Sequence, residues 1–460
     1  MKQTDLLVAE IGSTTTVVSA FDQLDSDPVL VGQGQFPTTV AEGDVNIGLA
    51  GAIRDLANNL GEEINWKRLM ASSSAAGGLR MTVHGLVYDM TVRAAREAAL
   101  GAGANLKFVT AGRLRRTDLI KIKDTQPNII LIAGGVDYGE RDTAIYNAEL
   151  IRSLNLNIPV IYAGNIENQE EIRLIFEDSS NDLYIVDNVY PKIDELNIEP
   201  TRRVIQAVFE EHITGAGGME RIRELVDGHI IPTPGAVMEA SILLKEELGN
   251  LVCADIGGAT TDIHSCTTES DDIRGILLDP EPEHKRTVEG DLGMYVNRMS
   301  VLEMIPDKEL TSRLQVTRQE AEALCQELPP IPIKEKDKAF IALLAEQALK
   351  TALRRHAGVL KEYFGPSGRK VAAMGKDLTA VRYFIGTGGA LTRLPNRIQI
   401  IQTALEEEKR MELLPDSNIE IYIDEDYIIA SLGVMSLEYP EAAAKLARKS
   451  LRLAQKGEKE

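Results

Sequence analysis

Cysteine is scarce: the 460 residues hold three, Cys253, Cys266 and Cys325. None stands in a CxxC spacing and an odd number cannot pair off completely. Neither a disulfide framework nor a cysteine-bound metal or iron–sulfur centre is therefore expected. Histidine is rare too, six in all, and the lack of any HExxH run leaves no zinc motif. No uninterrupted apolar run approaches the ~18 residues that a membrane helix needs. The first ten residues carry Lys2, Asp5 and Glu10 and no apolar h-region, so a signal peptide is not expected. Positive charge is short: 50 Lys+Arg against 70 Asp+Glu give a net charge of −20. That is the wrong sign for a phosphate backbone as main partner. GxSxG and Walker A runs are missing as well. Together the absences point to a reduced, cytoplasmic protein with neither a nucleic-acid nor a membrane partner.

What is there suffices for real cores. Apolar residues make up 44%, which excludes wholesale disorder, and the length corresponds to roughly three domains at ~150 residues each. Strands are expected at 6–11, 17–21, 29–36 and 68–72, with a helix at 45–60. From 86 to 213, short apolar strands (107–110, 128–133, 159–163, 183–187) alternate with helices near 92–100, 142–154, 167–177 and 200–212. Such alternation means βαβ units and a parallel sheet covered on both faces. A strand at 251–256 opens the last half. Helices near 288–304, 318–327 and 338–363 follow, then a strand at 381–385 and a charged surface helix over 445–460.

Two distant segments look alike. Ala9-Glu-Ile-Gly-Ser-Thr-Thr-Thr16 and Ala254-Asp-Ile-Gly-Gly-Ala-Thr-Thr261 share Ala, Ile, Gly and two Thr at matching places, with an acid second in each. Each follows an apolar strand and precedes a β-prone run, so each reads as a strand–turn–strand hairpin. Small residues at such a turn let backbone N–H groups point outward as a nest, and Thr hydroxyls add donors. A polyphosphate needs both. The carboxylates of Glu10 and Asp255 would hold Mg²⁺ through its waters, because Mg²⁺ dehydrates reluctantly. A third segment, Phe384-Ile-Gly-Thr-Gly-Gly-Ala390, lets a nucleoside approach the backbone closely. Either hairpin alone reads as an ordinary turn; two with matching acids carry more weight.

Together the three resemble the phosphate-1, phosphate-2 and adenosine elements of the actin, Hsp70 and sugar-kinase ATPase superfamily. The resemblance implies an α/β fold of two duplicated RNase H-like halves that clamp ATP, with an inserted βα parallel-sheet region. Residues 1–90 would form the first half, 91–227 the insertion and 228–460 the second half. Narrower still, Ser72-Ser-Ser-Ala-Ala-Gly-Gly-Leu-Arg-Met81, Gly134-Gly-Val-Asp137, Asn147-Ala-Glu149, Arg286-Thr-Val-Glu-Gly-Asp-Leu-Gly-Met294 and Ile385-Gly-Thr-Gly-Gly-Ala390 look like the MutL accessory proteins of glutamate mutase and related aminomutases. These are unrelated to the mismatch-repair protein of the same name. What this resemblance implies is a slow, Mg²⁺-dependent ATPase acting as a reactivating chaperone, its partners the subunits of an adenosylcobalamin-dependent mutase. It would drive release of damaged cobalamin and meet cobalamin only through that mutase. The oligomeric state stays open, a homodimer included.

Carried over position by position, Gly12, Ser13, Thr14 and Thr15 match the first phosphate loop. Asp255, Gly257, Gly258, Thr260 and Thr261 match the second, and Gly386, Gly388 and Gly389 the adenosine element. Asp255, Glu10 and Thr260 form the expected catalytic set, with Glu10 and Asp255 as metal ligands. The superfamily usually has Asp where this chain has Glu10, and the extra methylene bears on hydrolysis more than on binding.

Other residues keep two readings. Asp137 closes an apolar strand and reads as a ligand contact at a carboxyl strand end or as a helix N-cap. Glu289 and Asp291 read as acids at a helix start or as contacts to ribose or adenine. The stretch 72–78 reads as an anion loop or as close packing. Asp227-Gly-His229-Ile-Ile-Pro232 is similar to the Asp-x-His-x-x-Gly loop of cobalamin-binding domains but has Pro in place of its glycine, so a solvent-facing turn histidine is expected. The basic tail (Lys445, Arg448, Lys449, Arg452, Lys456, Lys459) reads as a solvated helix face. A small-molecule kinase for a sugar, polyol or carboxylate shares the same loops, as does a nucleotide-dependent filament scaffold. An acyl-dehydratase activator of this fold would need cluster-holding cysteines in a pattern this chain lacks.

Overall fold

A computed structural model describes residues 2–12, 15–39, 43–74, 79–211, 219–329, 332–365, 368–406 and 411–455. The chain divides into two compact units, one of residues 1–239 with 430–442, the other of 240–429 with 443–460.

The first unit opens with β1 (Lys2–Ile11), β2 (Thr15–Asp22), β3 (Val29–Pro37), α1 (Val45–Leu60) and β4 (Ile64–Ser73). Leu6 to Ala9 are buried without alternation, as befits a strand covered on both faces. Asp44 caps α1 by accepting from Asn46 N at 2.9 Å, and Gly61 ends it at φ 73°. Both are the residue types those positions favour. Val45, Leu49, Ala52 and Leu56 lay one apolar stripe on the sheet.

A second sheet follows: β5 (Arg80–Gly85), α2 (Arg93–Gly101), β6 (Asn105–Ala111), α3 (Arg116–Thr125), β7 (Ile129–Ile132), α4 (Asp142–Ser153), β8 (Val160–Tyr162), α5 (Gln169–Phe176), β9 (Leu183–Ile185) and α6 (Glu199–Glu211). All five strands run parallel, in the order β6-β5-β7-β8-β9. Val83, Leu131 and Ile161 pack toward α2 and α6, while Ile130, Ile132 and Tyr162 pack toward α3, α4 and α5. This is the doubly wound order of an open α/β sheet. Then α7 (Met219–Leu225) and β10 (Ile230–Pro232) return to the first sheet, whose order is β10-β4-β1-β2-β3. α8 (Thr233–Leu248) carries the chain onward.

The second unit contains β11 (Leu251–Ile256), β12 (Thr261–Cys266), α9 (Asp271–Arg274), β13 (His284–Glu289), α10 (Arg298–Glu303), α11 (Asp307–Glu309), α12 (Arg318–Glu327) and α13 (Glu335–His356). The hairpin β14 (Val359–Gly365) and β15 (Gly368–Met374) precedes β16 (Tyr383–Thr387), α14 (Gly388–Arg393), α15 (Arg397–Leu405), β17 (Glu420–Asp424), α16 (Ile429–Ser436), α17 (Pro440–Ser450) and β18 (Leu451–Gln455). Its sheet reads β13-β12-β11-β16-β17-β18. Five strands of this sheet match those of the first, and β18 adds a sixth, antiparallel to β17. In each, a three-strand antiparallel meander is extended by two strands parallel to the first. Each unit therefore carries one RNase H-like sheet.

Three helix expectations fail. Residues 288–304 do not form one helix: Thr287 and Val288 belong to β13, where β-branched residues pair with β12, and helix begins only at Arg298. The helix expected over 338–363 stops at His356, and Val359–Gly365 turns into a hairpin with β15. The tail helix stops at Ser450, after which Leu451–Gln455 pairs with β17.

Candidate nucleotide site

The repeated motif is repeated in backbone. Strands β1 and β2 close on the pair Ile11–Thr16, and β11 and β12 on Ile256–Thr261. Gly12 N donates to Thr15 O at 3.1 Å, and Gly257 N to Thr260 O at 3.0 Å. Glu10 lies in register with Ser72 on β4 as Asp255 lies in register with Thr387 on β16. Ser13 and Thr14 fall outside the described residues. Gly12 is demanded by its own turn, since a Cβ there would sit 2.7 Å from Thr15 O. Gly257 and Gly258 are not: a Cβ would meet nothing nearer than 3.4 Å and 3.7 Å.

A strap behind the second turn decides which way its peptides face. Met294 N donates to Gly257 O at 3.1 Å, while Tyr295 N and Val296 N donate to Gly258 O at 2.8 and 2.9 Å. Gly293 is pressed against Ala259, leaving no room for a side chain. With the carbonyls held, the amides of Gly258, Ala259 and Thr260 have no acceptor among the described residues. That is a backbone nest suited to an anion.

Three carboxylates and a guanidinium surround this turn. Asp262 accepts from Arg286 Nε and Nη2 at 3.0 and 2.6 Å and from the Thr260 hydroxyl at 2.7 Å. Asp424 accepts from Ile428 N, Ile429 N, Ser450 Oγ and Thr387 Oγ1. Both are saturated. Asp255, half-buried between them, receives a hydrogen bond from none of the described residues. Burial and the Asp262 carboxylate push it up to about 7 against the pull of Arg286, with Asp424 adding to the rise. A hard, partnerless oxygen donor is what Mg²⁺ takes. Among the described residues no three such side chains converge as a cage.

The third motif joins the second directly. Gly388 stands at φ +81°, and a Cβ there would collide with Asp255 Oδ1 and come within 2.6 Å of Ile256 N. Gly389 has open space over it, whereas Gly386 is packed by Ile401, Ile423 and Leu391. Gly386 is therefore a core residue rather than a contact. A cavity of about 260 Å³ opens along α13, lined by Gln347, Lys350, Thr351, Arg354 and Arg355. Arg355 reaches Glu289 at 2.6 Å and Asp291 at 2.7 Å, which ties the cavity wall to the strand leading into the strap. Glu346 nearby is held through Oε1 by Arg313 and Lys350, while its buried Oε2 has no partner among the described residues. Nothing in the α13 sequence marks this cavity, because helix-face cations usually read as solvated; nor did it single out Asp262, Arg286 or Asp424.

The remaining candidates are structural. Asp137 is not the N-cap of α4: Arg141 holds that position, and Glu140 before it accepts from Thr143 N at 2.9 Å. Asp137 Oδ1 instead accepts from Ile166 N and Asn188 Nδ2, both at 2.9 Å. Asn147 clasps the β6–α3 loop through Leu114 N and Gly112 O. Ser72 is buried and accepts from the Thr233 hydroxyl at 3.2 Å; residues 75–78 fall outside the described residues. His229 stands 3.9 Å from Glu438, which also holds Arg68, so its loop is knitted into β4. Arg448 of the basic tail pairs with Glu247.

Two sheets of one strand order, each with a matched Gly/Thr hairpin and an acid closing its first strand, define a duplicated RNase H-like fold of the actin, Hsp70 and sugar-kinase ATPase type. Residues 6–451 match the MutL protein family, and the chain belongs to it. It is 34% identical over 458 residues to Protein MutL of Clostridium tetanomorphum, covering 97% of this chain and 98% of that one. Among solved structures it is similar to nucleotide-free acetone carboxylase, with 14% identity, a TM-score of 0.44, and 95% of this chain and 70% of that one covered. It is also similar to a glycerol dehydratase reactivase, with 12% identity, a TM-score of 0.34, and 94% and 99% covered. Scores of that size add nothing to the strand-order argument. No helix among the described residues is long and apolar enough to cross a membrane.

Proposed function

We propose that the protein binds and slowly hydrolyses Mg²⁺-ATP as the accessory protein of an adenosylcobalamin-dependent mutase, glutamate mutase or a related aminomutase, and drives release of damaged cobalamin from it. The observation that supports this most is Asp255: a carboxylate without a hydrogen-bond partner among the described residues, beside three amides equally unpartnered there and two glycines whose Cβ would meet nothing nearer than 3.4 Å. In this reading the Gly258–Thr260 amides and the Thr260 and Thr261 residues take phosphate oxygens. Asp255 takes the metal, and the α13 cations with Glu346 take the nucleoside. Glu10 with the Gly12 and Thr15 turn supplies a further metal and phosphate contact. Mg²⁺ would neutralise phosphate charge, leaving the chain to position and to supply fixed dipoles. Partner release requires the mutase to distinguish nucleotide states by affinity.

The test is direct. A mutase blocked with hydroxocobalamin should regain activity with this protein, ATP, Mg²⁺ and fresh coenzyme, and Asp255→Ala should abolish both that rescue and ATP turnover. Turnover that instead rises with one sugar, polyol or carboxylate and ignores the mutase would make the chain a kinase.

A further inference from the structure

β6 is the outer strand of the parallel sheet. It pairs with β5, and among the described residues no strand pairs with its other edge. An open edge presents a row of backbone donors and acceptors ready for another strand. This one is strongly basic. Residues 105–125 hold Lys107, Arg113, Arg115, Arg116, Lys121 and Lys123 against Asp118 and Asp124, a net of +4 in a chain of net −20. All six cations are exposed, and none makes an ion pair among the described residues. Of the two acids, Asp118 is engaged, its carboxylate accepting from Arg115 N at 2.8 Å. Lys121 Nζ stands 5.3 Å over the Phe108 ring and Arg113 5.2 Å over Tyr146, so two of the cations are held in place on the strand and loop. Ile120 on α3 is 60% exposed.

The edge is guarded against itself. The register skips Lys107, so a bulge with a lysine interrupts pairing, and regular strand resumes from Phe108 to Ala111. Bulges and lysines are the devices that keep edges from joining their own kind. A second copy would bring +4 against +4 and be repelled. An acidic strand meets the opposite: open backbone groups flanked by unpaired cations. Strand addition takes affinity from main-chain bonds, and selectivity from flanking side chains.

We propose that the free edge of β6, with the loop and helix that follow it, docks an extended acidic segment of a partner protein as a sixth strand. The strip belongs to a different sheet from either hairpin and does not depend on the nucleotide reading.

A fluorescein-labelled, end-capped peptide of four Glu-Val repeats is the probe, read by anisotropy on the full chain at 50 mM salt. Saturable binding is expected. It should weaken about tenfold in Arg116→Glu/Lys123→Glu and again at 300 mM salt, where screening shortens its reach. It should be lost when alternate peptide amides are N-methylated at unchanged charge. A Lys-Val peptide should not bind. No binding up to 1 mM, or equal binding by the methylated peptide, would overturn the proposal. So would unchanged affinity in the double variant when its melting temperature matches the native chain. A single-stranded oligonucleotide that outcompetes the peptide would assign the strip to nucleic acid instead.

Discussion

Gly388 and Gly389 are neighbours with opposite constraints, and together they test the site. A methyl on Gly388 falls onto Asp255 Oδ1 and within 2.6 Å of Ile256 N, at φ +81°. The left-handed conformation alone costs an L residue roughly 1–2 kcal/mol, and forcing a methyl into packed surroundings adds about 1–3 kcal/mol. Gly388→Ala should therefore destabilise its unit by about 3 kcal/mol. At about 2–4 °C per kcal/mol for a unit of this size, the melting transition should fall by roughly 6–12 °C. Gly389 has nothing within 4 Å of its Cβ position, so Gly389→Ala should melt within about 0.5 kcal/mol of the native chain. If that space is where a nucleotide lies, the same methyl costs about 1.4 kcal/mol of affinity, a tenfold rise in Kd for Mg²⁺-ATP by calorimetry. Native-like affinity in Gly389→Ala, or an unchanged melt in Gly388→Ala, would refute the reasoning.

Asp255 gives a pH signature in metal-free protein. Its folded pKa of about 7 lies above the 3.8 of an unperturbed aspartate, so between those values the native state holds the extra proton and stability falls as pH rises. The loss is at most about 4 kcal/mol; urea melts at pH 5 and 8 should show it in the native chain and not in Asp255→Asn, and equal slopes would sink the assignment. Arg286 and Asp262 are 3% and 5% exposed, so Arg286→Met should cost about 3–5 kcal/mol by stranding the carboxylate. Adding Asp262→Leu should recover much of that, and a double-mutant cycle without coupling would contradict the pair. His264 is fully buried with no partner at either ring nitrogen among the described residues, and burial drives its pKa down to about 3. His264→Leu should raise stability by about 1–3 kcal/mol, whereas a lowered melting temperature would mean that the imidazole has found a bonding partner.

The hairpins were legible because their signals are local. Ala-acid-Ile-Gly followed by Thr-Thr specifies strand, turn and strand within eight residues, and the 3.6-residue stripe of α1 with Asp44 and Gly61 at its ends needs no distant partner. The parallel sheet was legible for the same reason. Misreadings fell where local preference is weak. Thr287-Val288 and Leu451–Gln455 become strand only because β12 and β17 offer edges to pair with.

By itself the sequence determined the alternation of elements, the duplicated turn and the acid that ends each first strand, since all follow from short-range sterics and periodicity. Tertiary structure alone decided which acid keeps a free carboxylate. Asp262 is bound by Arg286 from β13, Asp424 by Thr387 and Ser450, and Asp255 is left bare beside Gly388. Those partners lie many residues away in the chain, and a hydrogen bond or a close approach between them is set by sheet order rather than by any spacing along the sequence.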